Sequence, residues 1–281
     1  MPVEELVRRR SAAPVRPLVA GYWGWRCAGV PPAAHRGLPS PWLTVILTLD
    51  DPLTVAEHPD PAAAPAAYDA LVGGLHTRPA LITHDGRQSG VQLAVPPLAA
   101  RALLGVPAGE LAGIDVPAAD VLGAAPVDRL RDRLLAAPDW PARFGVLDAA
   151  LSRVEQEPSA PPEVVRAWRV LLRTGGRAPV AALAGDVGWS ARHLARRFRA
   201  ETGLTPKHAA RVIRFDRARR RLERAPAGGL AAVAAEHGYA DQAHLAREFR
   251  ALAGCPPSRW LAEEVANVQA GTAAPAAGSG A

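Results

Sequence analysis

The rhythm of hydrophobic and polar positions changes about a third of the way along the chain. Before residue 95 the apolar residues come in short runs, and beyond it they recur every three or four positions. In the first stretch, Trp42–Leu49 (Trp-Leu-Thr-Val-Ile-Leu-Thr-Leu) is dense in aliphatic and β-branched residues and is stopped by Asp50-Asp51-Pro52. It predicts a strand buried on at least one face. Pro17–Cys27, with Leu18, Val19, Tyr22, Trp23 and Trp25, predicts a strand broken by glycines. Leu71–Leu75, Ala80–His84 and Gly90–Val95 predict three more, with turn chemistry at Gly73-Gly74 and Asp85-Gly86. The Pro- and Gly-rich stretch 29–41 and the Ala/Pro stretch 59–67 read as loops.

Helical spacing then takes over. A short helix at 97–104 ends at Gly105, a short turn follows at 107–111, and 127–135 and 142–154 are amphipathic helices, carried by Leu130 and Leu134 and by Phe144, Leu147 and Leu151. Strands followed by helices predict an α+β domain at 17–156. The charged residues 1–16 read as a flexible arm, 157–162 as a Pro-rich linker, 163–265 as an all-α domain, and the Ala/Gly/Pro/Ser residues 266–281 as a disordered tail.

A single pattern occurs twice within the all-α region. Leu183-Ala184, Gly188-Trp189, Leu194, Phe198, Gly203 and Pro206 return as Val233-Ala234, Gly238-Tyr239, Leu245, Phe249, Gly254 and Pro257. The offset is 50 residues before Leu194 and 51 from Leu194 onward, so the second copy has one extra residue in its turn. Each copy reads as a short helix, a glycine turn, an N-capping residue (Ser190, Asp241) and a second helix closed by a glycine. Two helix–turn–helix units are predicted, joined by a helix over 206–222 whose buried stripe is Val212, Phe215, Ala218 and Leu222.

Charge sharpens this reading. The formal net charge is +6, and it is unevenly placed. Residues 1–160 carry fourteen arginines against seventeen acids, whereas 161–281 carry eighteen arginines and Lys207 against ten acids. Only the second half is suited to a polyanion. On its first long helix Leu194 and Phe198 face inward, leaving Arg192, Ala195, Arg196 and Arg199 outward. On the second, Gln242, Ala243, Ala246 and Arg247 face outward. Arginine can bind guanine O6 and N7, glutamine can read adenine, and alanine can meet a thymine methyl. A connecting helix of seventeen residues spans about 25 Å, enough to set the two units near one DNA turn apart, ~34 Å. Some of its arginines are expected on phosphates, and most are expected to be solvated or paired with Asp216 and Glu223.

Leu194-Ala-Arg-Arg-Phe198, Gly203-Leu-Thr-Pro206, Ile213–Arg219, Gly238-Tyr239, His244–Phe249 and Gly254-Cys-Pro-Pro257 together resemble the paired helix–turn–helix domain of the AraC/XylS family of bacterial transcription regulators. Gly90–Leu93, Pro97–Gly105, Glu110-Leu111 and Leu122-Gly123 are partially similar to the cupin-like N-terminal domains of some members. The implied architecture is an α+β cupin-like sensor domain followed by an all-α double helix–turn–helix domain. The resemblance places base readout on Arg192, Ala195, Arg196, Gln242, Ala243 and Arg247. Phosphate contacts are expected from Ser190, His193, Lys207, Arg211 and His244. It implies double-stranded DNA, RNA polymerase, a small-molecule effector and a second copy of the chain as partners. Trp23, Trp42 and His84 form the candidate effector pocket, although strand tryptophans pack cores as readily.

Other chemistry finds little support. Histidines 35, 58, 76 and 84 lack a metal-ligand spacing, no nucleophile motif occurs, and no cofactor or catalytic residue is expected. Cys27 and Cys255 stand apart, which points to a reduced, cytoplasmic setting. An alkylation-repair fusion would need a cysteine cluster that the first half lacks. Met1–Ser11, with two acids and three arginines and no apolar run, is not expected to be a signal peptide, and no membrane-spanning segment is expected. The alternative left open is an effector-independent DNA-binding protein whose N-terminal domain serves dimerisation or protein partners.

Overall fold

The computed structural model describes residues 3–155, 160–224 and 228–263. The expected tail at 266–281 and residues 157–159 of the expected linker lie outside the described residues. Strands β1 (Val3–Arg9), β2 (Gly21–Ala28), β3 (Ala33–Gly37), β4 (Leu43–Thr48), β5 (Leu53–Glu57), β6 (Ala66–Tyr68), β7 (Ala70–Gly73), β8 (Ala80–His84), β9 (Arg87–Val95) and β10 (Asp115–Pro117) form two antiparallel sheets. The first has the order β1-β2-β9-β4-β7-β10, the second β3-β8-β5-β6. Helices α1 (Ala100–Leu104), α2 (Ala118–Leu122), α3 (Ala124–Ala136) and α4 (Trp140–Leu151) complete the N-terminal region. The C-terminal region is α5 (Pro162–Thr174), α6 (Val180–Asp186), α7 (Ala191–Thr202), α8 (Pro206–Leu222), α9 (Gly229–Glu236) and α10 (Gln242–Ala253). Residues 257–263 are helical again.

The alternation of side chains across the first sheet builds two cores. Ile46 and Leu71 face the second sheet and meet Leu53, Val55, Tyr68, Ala80 and Ile82. Val45, Leu47, Val72, Val91 and Leu93 face the other way, toward the helices. That explains the unbroken apolar run of β4, which is central and covered on both faces. The larger core runs on without a break through Trp168 and Phe198 to Phe249 and Trp260 in the C-terminal region.

Helix α4 is held down by aromatic packing. Asp139 caps it, accepting from the Ala142 N–H at 2.8 Å. Phe144 stacks on Tyr22 with ring centroids 5.7 Å apart, and Trp140 lies flat over Gly24. A Cβ on Gly24 would fall 2.4 Å from Trp140 Cε3, so the missing side chain is what admits the indole.

The structure corrects the expected arm at 1–16. Val3–Arg9 is an edge strand paired with β2 along its whole length, from Val3↔Ala28 to Arg9↔Tyr22. Its charges are tolerated because an edge strand keeps one side in solvent. Asp148 of α4 anchors the stretch, accepting from the Tyr22 hydroxyl at 2.8 Å and the Ala12 N–H at 3.1 Å and pairing with Arg9 at 2.7 Å. The expected loop 29–41 likewise contains β3, which pairs with β8. Strands β5 and β6 escape the sequence pattern, being short and lying beside proline-rich turns.

Replacing Gly24 with alanine is expected to destabilise the protein by about 1–3 kcal/mol, the usual cost of forcing an extra carbon into a packed core. Denaturant unfolding measures it, and an unchanged midpoint would show that the Trp140 ring is free to shift.

Candidate nucleic-acid interface

The two repeats fold alike because the same contacts close each turn. Gly188 and Gly238 adopt φ of 70° and 74°, the left-handed region that favours glycine. The Trp189 N–H then donates to the Ala184 carbonyl at 3.0 Å, and the Tyr239 N–H to the Ala234 carbonyl at 2.9 Å. Ser190 caps α7 by accepting from the His193 N–H at 3.2 Å, and Asp241 caps α10 by accepting from the His244 N–H at 2.6 Å. Leu194, Phe198, Leu245 and Phe249 are fully buried. Phe198 packs on Trp168 of α5 at 5.7 Å between ring centroids, and Phe249 on Phe215 of α8 at 4.9 Å. The extra residue of the second turn is Ala240, whose N–H donates to His244 Nδ1 at 3.3 Å. That bond leaves Nε2 as the free nitrogen of His244. Both histidines stand edge-on to the aromatic residue of their turn, His193 to Trp189 at 4.6 Å and His244 to Tyr239 at 5.3 Å between centroids.

This geometry turns Arg192, Arg196, Gln242, Ala243 and Arg247 to solvent, with Ala195 half-buried between the first two. Arg192, Gln242 and Arg247 have no side-chain hydrogen bond or ion pair among the described residues. Arg196 approaches only His193, at 3.4 Å. Lys207 is exposed at the start of α8. His208 beside it is held below its usual pKa by burial, then by Arg211, Lys207 and Arg199.

Among the arginines of α8, Arg219 pairs with Asp216 and Glu223 and Arg220 with Asp216, as expected, whereas others find partners the pattern did not suggest. Arg211, expected on phosphate, makes two bonds of 2.9 Å to the Glu248 carboxylate on α10, and this raises the Arg211 pKa. Arg214 donates to the carbonyls of Gly176 and Gly238, both at 3.4 Å. Arg217 donates to the Leu172 carbonyl at the end of α5. Arg219 and Arg220 pair with the buried Asp216, each at 2.9 Å, and Arg221 pairs with Glu236 at 3.0 Å. The connecting helix therefore spends its guanidinium groups on carbonyls and acids of its own domain, and Arg211 fastens the second repeat.

A helix-turn-helix domain family model matches residues 165–263, the span over which these paired turns, caps and helices lie. Residues 165–263 are an AraC-type helix–turn–helix domain. Three solved structures of ToxT from Vibrio cholerae share the fold. An apo single-residue variant is 10% identical, with 91% of this chain and 99% of that chain covered and a TM-score of 0.53. The wild-type protein with an unsaturated fatty acid bound is 11% identical, with 83% and 91% covered and a TM-score of 0.50. The protein bound to a methylnaphthalenyl butenoic acid is 10% identical, with 85% and 97% covered and a TM-score of 0.50. No curated protein matches the sequence. The helix-turn-helix domain points to a DNA-binding transcription regulator. Among the described residues no group of three or more His, Cys, Asp or Glu is placed to hold a metal ion, and no helix is long and apolar enough to cross a membrane.

The AraC-type domain is fastened to the N-terminal domain at the far ends of its two outward helices. At the end of α7, Glu201 is buried and accepts from Arg101 of α1 at 3.1 and 3.3 Å. A Cβ on Gly109 would sit 2.1 Å from the Ala200 carbonyl oxygen, so the 108–111 turn lies directly on α7. Beyond α10, Glu263 pairs with Arg36 of β3. Two cavities open between these contacts. One of ≈270 Å3 is lined by His76, Arg78, Arg199, Thr205 and His208; the other, of ≈480 Å3, by Glu57, His58, Arg78 and Arg250.

The residues expected to form an effector pocket are not brought together. Trp42 directly precedes Leu43, which pairs with Val95 at one end of β9, and Trp23 pairs with Gln92. His84 lies at the other end, where the chain turns into β9, and its Nδ1 accepts from the Gly86 N–H at 3.1 Å. Its neighbour there is His35, whose pKa is pushed down to about 4 by burial and by His84. Sequence reasoning missed Arg78, Arg199 and Arg250 as a group. The only hint was that Arg199 and Arg250 fall 51 residues apart, the repeat offset.

Replacing Arg211 with alanine should strand the half-buried Glu248 and destabilise the AraC-type domain by about 1–3 kcal/mol. Thermal unfolding and salt-dependent DNA binding are the two readouts. Unchanged stability with a shallower salt slope would instead make Arg211 a phosphate contact.

Proposed function

We propose that the protein is a sequence-specific regulator of transcription that reads double-stranded DNA with α7 and α10 and responds to a small organic acid held between its domains. One observation carries the DNA reading: two helices behind the same turn and cap present arginines and a glutamine that have no partner within the domain, while the neighbouring arginines of α8 are paired. Arg192, Arg196, Gln242 and Arg247 are the base-reading side chains, with Ala195 and Ala243 allowing close approach. Lys207, the Ser190 hydroxyl and the imidazoles of His193 and His244 flank them as phosphate contacts.

The charge of the cleft supports the acidic effector. Arg78, Arg199 and Arg250 have no acid partner among the described residues, and Glu57 is the single acid lining either cavity. A carboxylate is the group that such guanidinium groups bind best. The structurally similar ToxT has been solved with two carboxylic acids bound. A ligand in either cavity would touch Arg78 of the N-terminal domain and the end of one of the two helices, α7 in the first and α10 in the second, and so could shift that helix against the N-terminal domain.

Site selection from random DNA tests the DNA reading. Arg196→Ala should relax one position of the selected site by about 1–3 kcal/mol; an unchanged consensus would move readout off this residue. Oleate, with oleyl alcohol as the uncharged control, tests the effector reading. Oleate alone should raise the unfolding temperature and change affinity for the selected site, and Arg78→Ala should remove that response while sparing ligand-free DNA binding. Affinity that ignores every organic acid tried would favour the effector-independent reading.

A further inference from the structure

His58 directly follows β5 of the second sheet, and Asp115 opens β10 at the edge of the first. Their side chains meet, His58 Nδ1 to Asp115 Oδ2 at 2.8 Å. Both are buried, with 3% and 9% of the side chains exposed. Neighbours fix the pair on both sides. Asp115 lies over Gly73, where a Cβ would come within 2.9 Å of its Oδ1, and Tyr68 stands edge-on to the imidazole at 6.0 Å between ring centroids. A carboxylate only accepts hydrogen bonds, so Asp115 keeps a proton on His58 Nδ1. In the neutral imidazole Nε2 is then a bare lone pair. It makes no hydrogen bond among the described residues and is not sealed in by protein atoms. It opens on the ≈480 Å3 cavity that His58 lines.

That cavity calls for two kinds of group. Arg78 of the N-terminal domain and Arg250 of α10 line it without an acid partner among the described residues, and they favour a carboxylate. His58 adds something a plain carboxylate leaves unused: a fixed acceptor in need of a donor, costly to cover without one. The two guanidinium groups repel an ammonium donor, which leaves a neutral hydroxyl. Pro61, Pro79 and Ala251 supply apolar wall for the carbon chain between the two groups. Glu57 also lines the cavity and can accept a hydrogen bond, but it is exposed and held by no partner among the described residues. An acceptor already fixed in place, as His58 is, loses less freedom on binding.

We infer that the organic acid of the cleft is a hydroxy acid bound in this cavity, its carboxylate on Arg78 and Arg250 and its hydroxyl donating to His58 Nε2; the assignment rests on the effector reading and narrows it to one chemical class. Calorimetric titration of the full chain with octanoate, with α-, β- and ω-hydroxyoctanoate and with the methyl ether of each tests it. At least one hydroxy acid should bind about tenfold more tightly than octanoate, the gain of one hydrogen bond. Its methyl ether, which has lost the donor, should fall back to octanoate or below. His58→Phe alone would strand the Asp115 carboxylate, so the variant is His58→Phe/Asp115→Asn, with thermal unfolding confirming that it folds; the comparison of hydroxy acid with ether is made on the wild type and does not depend on it. The double variant should bind octanoate as the wild type does and lose the hydroxyl preference, and Glu57→Gln should keep that preference. Acids that bind, and weaken in Arg78→Ala, yet gain nothing from a hydroxyl at any position would overturn the assignment and leave the effector reading standing. A methyl ether as tight as its hydroxy acid, a preference that survives the double variant, or one lost in Glu57→Gln would do the same. No acid bound at all would overturn both.

Discussion

The bond between Glu201 and Arg101 ties the two halves of this molecule into one mechanical object. Helix α7 has twelve residues, so it is about 18 Å long and stiff. One end carries Ser190, Arg192 and Arg196 in solvent. The other end inserts a buried carboxylate between the domains, where two guanidinium hydrogen bonds satisfy it. A carboxylate left there without its partner would cost a few kcal/mol. The bare Cα of Gly109 under Ala200 removes the remaining freedom. Helix α7 therefore has a direction set by the N-terminal domain, and a displacement of the 108–111 turn pulls on it directly.

Arginine use across the AraC-type domain follows from the same logic of neutralisation. An acid or carbonyl within reach claims a guanidinium group because leaving either unpaired in a half-buried setting is unfavourable. Along α8 every arginine from Arg211 to Arg221 finds such a partner, so this helix serves as a rigid spacer stitched to α5, α9 and α10. Among the described residues, arginines without such a partner include those on the solvent faces of α7 and α10, those in the interdomain cleft and Arg169 of α5. Net basicity alone would leave every arginine of the domain equally available, whereas the pairing pattern occupies those of α8 and leaves Arg192 and Arg247 open.

These distinctions set the limit of what the chain's pattern can reveal. Turn glycines, caps and the Leu/Phe pairs four residues apart are local, and each repeat states them independently, so the all-α domain was legible with its caps and turns. The strands of highest apolar density, β4, β8 and β9, were legible for the same reason. Strands β1 and β3 were not, because an edge strand needs no apolar face and its prolines and charges imitate a loop. The fate of Arg211 was hidden because Glu248 lies 37 residues away and meets it only after α8 and α10 pack. The Trp23, Trp42 and His84 grouping failed on register: nothing local says that Trp42 and His84 approach opposite ends of β9, some ~25 Å apart at the rise of an extended strand.

Where the two repeats differ is as informative as where they agree. With the offset of 51, Glu201 corresponds to Leu252 and Arg197 to Glu248. Leu252 is buried in the domain's own core, so the second helix lacks the carboxylate that ties the first to the N-terminal domain. Glu248 gives it a tie to α8 instead, where Arg197 stays in solvent. Each copy thus uses one changed position to choose its neighbour. The first helix is fastened across the domain boundary, and the second is fastened within the domain by an arginine of the spacer. A shift of the N-terminal domain would reach α7 through the Arg101–Glu201 pair and the Gly109 contact, and reach α10 through Pro79 against Gly254, through the Arg36–Glu263 pair beyond the helix, or through the full length of α8. Helices α7 and α10 are therefore held to the N-terminal domain unequally: α7 by a buried carboxylate and the close approach at Gly109, α10 only at and beyond its C-terminal end.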